Sequence, residues 1–179
     1  MFKNPFQVAV IFAVLALIIK LIVFTLEIQH GNMEKYIFFI YMLILNISVF
    51  FGIRSNKIVE GRQTTFGEDF RAGARTASFY AILVAIITYV YYANIDVHFF
   101  DIKRSELIDT YPAKIQNAIE NATMTMPEIK TKVHADIVNT YTIFTPYFQA
   151  LITMFGLVFI GLFFSALFAF VMKKIPGFK

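Results

Sequence analysis

Cysteine is absent from this 179-residue chain, which excludes disulfides, thiolate nucleophiles and cysteine-ligated metals. Tryptophan is absent too, so an aromatic belt at a membrane surface must come from the nine tyrosines and some of the 22 phenylalanines. Charge is scarce: Asp, Glu, Lys and Arg make up 16% of the residues and fall in a few blocks. No G-x-S-x-G, no H-E-x-x-H and no phosphate-cradling glycine loop occurs. The apolar runs contain no Asp, Glu or His, so intramembrane hydrolysis has no reagents. The chain is therefore read as non-enzymatic and without a cofactor. Its net charge of +4 sits beside the apolar runs and reads as an orientation signal, not as a nucleic-acid surface.

What remains is grease: 58% of the residues are hydrophobic. The blocks of charge leave runs long enough to cross a bilayer, at about 6–26, 36–53, 73–95 and within 146–172. The expected fold is all-α, a four-span transmembrane helical bundle with an extracytoplasmic helical hairpin between spans 3 and 4. Residues 1–95 hold spans 1–3 and a basic connector at 54–72; 96–145 form the hairpin; 146–179 hold span 4 and a basic tail. The first run is too long for a signal peptide and lacks a cleavage-like site, so it is read as a retained helix. Lys20 interrupts it, roughly 9 Å from the far end, where its ammonium can reach the headgroups. A charge held inside the bundle is the sharper alternative. Asn46 and Ser48 in span 2 read as interhelical hydrogen bonders.

The connector announces a helix. Thr65 and Glu68 have the spacing of a capping box, and Glu68 and Asp69 suit the positive end of a helix dipole. In the hairpin, Leu107, Ile108, Tyr111, Ile115, Ala118 and Ile119 recur at helical spacing, followed by Ile129, Val133, Ile137 and Tyr141. Thr125-Met126-Pro127-Glu128 is a second helix start. The arms are expected at about 99–122 and 126–142, with Pro112 ending or kinking the first near Tyr111. Each arm carries a narrow apolar stripe, to be covered by the other arm or by a second subunit.

Basic residues orient the chain. Lys3, then Arg54, Lys57, Arg62, Arg71 and Arg75, then Lys173, Lys174 and Lys179 all fall on one side; the short turn between spans 1 and 2 has Lys35 alone. The positive-inside rule makes that side cytoplasmic and the hairpin periplasmic, in a bacterial inner membrane. The same residues can meet anionic lipid headgroups. Two small-residue ladders, Gly73, Ala77, Ala81 and Ala85 against Gly161, Ser165 and Ala169, predict close packing of spans 3 and 4. Counting depth from span ends at Ala74 and Met172 sets Ala77 beside Ala169, Ala81 beside Ser165 and Ala85 beside Gly161.

Phe50-Phe51-Gly52-Ile53-Arg54-Ser55, then Gly61, Thr65-Phe66-Gly67, Phe70-Arg71 and Gly73, resemble the signature of a membrane-protein family of Bacteroidota catalogued as domain of unknown function 4199. Gly161, Ser165, Ala166, Lys173 and Lys174 match its terminal helix. The resemblance implies four spans with a helical insertion before the last, and supplies no activity, substrate or catalytic residue. Glu68 departs from it, since a basic residue is common there. The histidines fall on the periplasmic side, and His30, His98, Asp96 and Asp101 are the only candidates for a metal; solvated side chains are the expectation. The function class favoured is an interaction or structural component of the envelope, meeting membrane lipids and either a second copy or an envelope protein through residues 99–143. A small transporter or channel subunit is the alternative.

Overall fold

The structure is a computed structural model and describes residues 4–28, 34–61, 63–120 and 125–174. Among them the chain forms helices and no strand: α1 (Pro5–Thr25), α2 (Glu34–Glu60), α3 (Phe66–Asn94), α4 (Phe99–Ile108), α5 (Tyr111–Glu120), α6 (Met126–Ile143) and α7 (Pro146–Lys174). Four of them, α1, α2 from Phe39 onward, α3 and α7, are long and apolar enough to cross a membrane. The fold class is thus all-α and that of a multi-pass membrane protein.

Helix ends follow local chemistry. Asn4 caps α1 by accepting from the Gln7 N–H at 2.9 Å, with Pro5 at the first position, where a missing N–H costs nothing. At the other end the Ile28 and Glu27 N–H groups donate to Val23 and Phe24 carbonyls, a Schellman closure that puts Glu27 at φ 55. The helix that carries span 2 runs on past residue 53. Nothing in 54–60 breaks a helix, so α2 continues to Glu60, and Gly61 at φ 61 closes it by donating to the Lys57 carbonyl. The expected capping box opens α3: the Thr65 N–H donates to Glu68 Oε2 at 2.8 Å, and the Glu68 N–H donates to Thr65 Oγ1 at 3.3 Å. Most of the basic connector is therefore helix.

The chain divides into two compact units, Met1–Ile87 with Leu151–Lys179, and Thr88–Ala150. In the first unit α1 packs along α2. Its small residues turn inward, with Ala9, Ala13 and Ala16 buried, while Ile11, Val14, Leu15, Ile18 and Ile22 stay exposed. Small inside and large outside is the lipid-bilayer arrangement, where close backbone approach drives association. The core joins these alanines to Ile44, Leu45, Val49, Ile53, Ala77, Tyr80, Ala81, Val84, Leu157 and Met172.

In the second unit α6 packs against both α4 and α5, so the arms of the hairpin close on each other. The first arm is two helices. Pro112 has no N–H to give the Ile108 carbonyl, and the chain breaks at Asp109–Thr110, where the Thr110 N–H and hydroxyl both bond the Leu107 carbonyl. The α6 start repeats the device at α3: Glu128 Oε2 accepts from the Thr125 N–H at 2.8 Å and from its hydroxyl at 2.7 Å. Those bonds, backbone first, hold the Glu128 carboxyl below its ordinary value. Residues 121–124, and Gly31 and Asn32 of the first turn, lie outside the described residues.

Candidate functional site

Sequence reasoning treated 54–75 as a basic surface; the structure sorts its residues into two groups. Arg54, Arg71 and Arg75 are exposed, as are Lys173 and Lys174 at the end of α7. Lys174 Nζ lies 4.5 Å from the Phe170 ring centroid. Lys57 turns inward instead. Its Nζ sits 2.9 Å from Asp69 Oδ2, with side chains 14% and 1% exposed. Thr64 Oγ1 donates to the other carboxylate oxygen at 2.6 Å. Asp69 therefore does more than complement a helix dipole: it is a buried carboxylate that ties the end of α2 to the start of α3. Only its place next to Glu68 in the first turn of a helix hinted at a role, and that hint pointed to solvent. Arg62 lies outside the described residues.

The small-residue ladders meet, in a register different from the depth count. A Cβ at Gly73 would lie 2.8 Å from Ser165 Oγ, and one at Gly161 would run into the Ala77 Cβ. Ser165 thus faces Gly73 rather than Ala81, a displacement of two helical turns. The reason is that α3 is packed from its first turns. Asp69 and Ala72 are buried, as is Met172 near the end of α7, so helix–helix contact begins well before the assumed end at Ala74. Ala77, Ala81, Ala85 and Ala169 are buried as well. A third approach was not foreseen: a Cβ at Gly52 would collide with the Thr76 side chain, which draws α2 onto α3.

Inside the same unit lie polar groups of a different kind. Tyr41 OH, Asn46 Oδ1, Ser48 Oγ and Tyr80 OH are buried without a hydrogen-bond partner among the described residues. Lys20 is half-buried, with Nζ 5.8 Å from the Tyr41 ring centroid on the neighbouring helix.

In the second unit the metal candidates separate. Asp96 is buried and accepts from the Tyr91 hydroxyl at 3.3 Å, whereas His98 and Asp101 are exposed, 3.9 Å apart, and Asp101 also pairs with Arg104. His30 lies outside the described residues. No group of three His, Asp or Glu side chains that could hold a metal forms among the described residues. Tyr92, Phe99 and Phe100 stack around one another with ring centroids 4.7–5.2 Å apart and carry Lys103 over Phe99. Apolar side chains stay exposed on this otherwise polar unit: Ile119, Met126, Val138, Tyr141 and Ile143.

No curated protein and no solved structure matches the chain. The family described as "Protein of unknown function (DUF4199)" matches residues 7–174, nearly the whole length and with the Phe50–Gly73 signature inside it, and the chain belongs to that family.

Proposed function

We propose that this chain is a non-enzymatic, multi-pass component of a bacterial inner membrane that uses its helical hairpin to hold another envelope protein. In this reading both termini and the 54–72 connector face the cytoplasm, and residues 96–145 lie in the periplasm. The observation that supports it is the surface of the hairpin. Its arms already cover each other, yet Ile119, Met126, Val138 and Tyr141 remain about half exposed or more. Apolar surface left after internal packing is what a partner buries. The exposed Arg54, Arg71, Arg75, Lys173 and Lys174 fit anionic headgroups on the opposite side.

The natural lack of cysteine makes the test direct. Single Ile119→Cys and Val138→Cys variants, treated in intact cells with a membrane-impermeant crosslinker, should each give one adduct of fixed mass. Introducing Tyr141→Asp should abolish it. An adduct at twice the chain mass identifies a second copy; no adduct at either position sinks the reading. The buried oxygens of α2 and α3 favour a second reading, a small transporter or channel subunit, which predicts solute or ion flux in proteoliposomes.

A further inference from the structure

Hydroxyl groups inside membrane helices usually satisfy themselves. Thr76 donates to the Ala72 carbonyl at 3.0 Å, and Ser165 donates to the Gly161 carbonyl at 2.6 Å. Ser48 and Tyr80 do not. Both residues are 0% exposed, and neither side-chain oxygen has a hydrogen-bond partner among the described residues. A polar group left without a partner costs most where the surroundings are hydrocarbon. Buried polar atoms without protein partners are accordingly where bound water or a ligand sits.

The two groups share a level in the bundle. Lys57 meets Asp69 and Gly52 meets Thr76, so moving back along α2 moves forward along α3. One further turn in each helix puts Ser48 opposite Tyr80. Tyr41, seven residues before Ser48 and so on the same face of α2, extends the polar line, and Lys20 stands over its ring. The chemistry of the set is specific. The three hydroxyls both donate and accept. None of the three is a carboxylate, so a bare cation has no counter-charge among them.

We propose that the interface of α2 and α3 contains a buried hydrated site between Ser48 and Tyr80, continued along α2 by Tyr41. Its ligand is water, held by groups that donate and accept in turn. The site is independent of what the hairpin binds.

Two measurements on the full-length protein test it. The first uses single Ser48→Cys, Leu45→Cys and Val49→Cys variants and a small water-soluble methanethiosulfonate. All three native residues are equally buried, at 0% exposure. The thiolate, which forms only where water reaches the cysteine, attacks the sulfenyl sulfur of the reagent, forming a disulfide and releasing methanesulfinate. The Ser48→Cys thiol should react faster than the other two, on the order of tenfold. The second is the melting temperature of Tyr80→Phe. If water bonds the phenol, deleting it strands that water and lowers the melting temperature by about 2–4 °C. If the phenol is dry, deleting an unsatisfied group raises it. A Ser48→Cys thiol no faster than its neighbours, or a Tyr80→Phe protein melting at or above the parent, overturns the proposal.

Discussion

Removing the Asp69 charge should loosen the joint between α2 and α3. Asp69 has 1% of its side chain exposed and accepts from Lys57 at 2.9 Å and from Thr64 at 2.6 Å. Breaking one partner of a buried ion pair costs about 3–5 kcal/mol. The Asp69→Asn variant belongs at the low end, because the amide keeps the Thr64 bond and Lys57, 14% exposed, can swing its long side chain to water. A loss of about 3 kcal/mol corresponds to a melting temperature lower by about 6–12 °C for a chain of this size. Lys57→Met is the harsher change, costing about 5 kcal/mol, since the short Asp69 side chain cannot follow its charge out of the core. Replacing both, as Lys57→Met with Asp69→Leu, should recover to within about 1 kcal/mol of the parent, because a buried pair exchanged for apolar side chains is often neutral. Far-ultraviolet circular dichroism melts in detergent, with size-exclusion profiles as the check on folding, give all four values. If both single variants melt within 2 °C of the parent by that dichroism, or the double variant is as unstable as the singles added together, the pair is not the clasp described.

Gly161→Ala drives a methyl into Ala77 and should destabilise by about 1–3 kcal/mol, whereas Gly156→Ala meets open space and should leave the melt unchanged or raise it. Glu27→Gly relieves a side chain at φ 55 in the closure of α1 and should stabilise by about 0.5–1 kcal/mol in the same melts. The Glu128 carboxyl, held below its ordinary value by Thr125, supports α6 at neutral pH. Its contribution is present above the unfolded value and is lost as pH falls through the lower folded one. The protection of the Ile129 amide, taken relative to the intrinsic exchange rate at each pH, should therefore fall at acid pH in the parent, and the change with pH should be smaller in Glu128→Gln.

The punctuation of the fold was legible because single residues write it. Pro112 breaks the first hairpin arm near Tyr111, Pro127 stands in the first turn of α6, and both Thr-x-x-Glu sequences became helix caps. Apolar run length gave the four candidate spans. In the connector the capping box at Thr65 gave the start of α3, with Glu68 and Asp69 in its first turn, whereas the length of α2 was not legible: charge that ends an apolar run does not end a helix, and α2 carries Arg54 and Lys57 for two more turns. The ladder residues were legible as a set, since small side chains four apart mark close approach. Their register was not, because it depends on where packing begins. That point is fixed by Asp69, whose burial no local pattern announces.

Ser48 shows where such reading stops. Thr76, Ser165 and Ser48 are small hydroxyl residues in apolar helices, each buried and each beside a glycine or alanine ladder. As letters they are equivalent, and all three suit a packing seam. The structure divides them by a single hydrogen bond. Thr76 and Ser165 return their protons to their own helix and present only bulk to Gly52 and Gly73. They act as spacers in the seam. Ser48 Oγ has no hydrogen-bond partner among the described residues, and neither has the Tyr80 hydroxyl, one turn beyond the contact of Gly52 with Thr76. Two such groups facing each other in hydrocarbon either weaken the bundle or share something that satisfies both. Gly52 brings α2 close to α3 one turn away, and an alanine at 48 with a phenylalanine at 80 would fill nearly the same volume with no oxygen to satisfy, so the sign of the Tyr80→Phe melt separates the two cases.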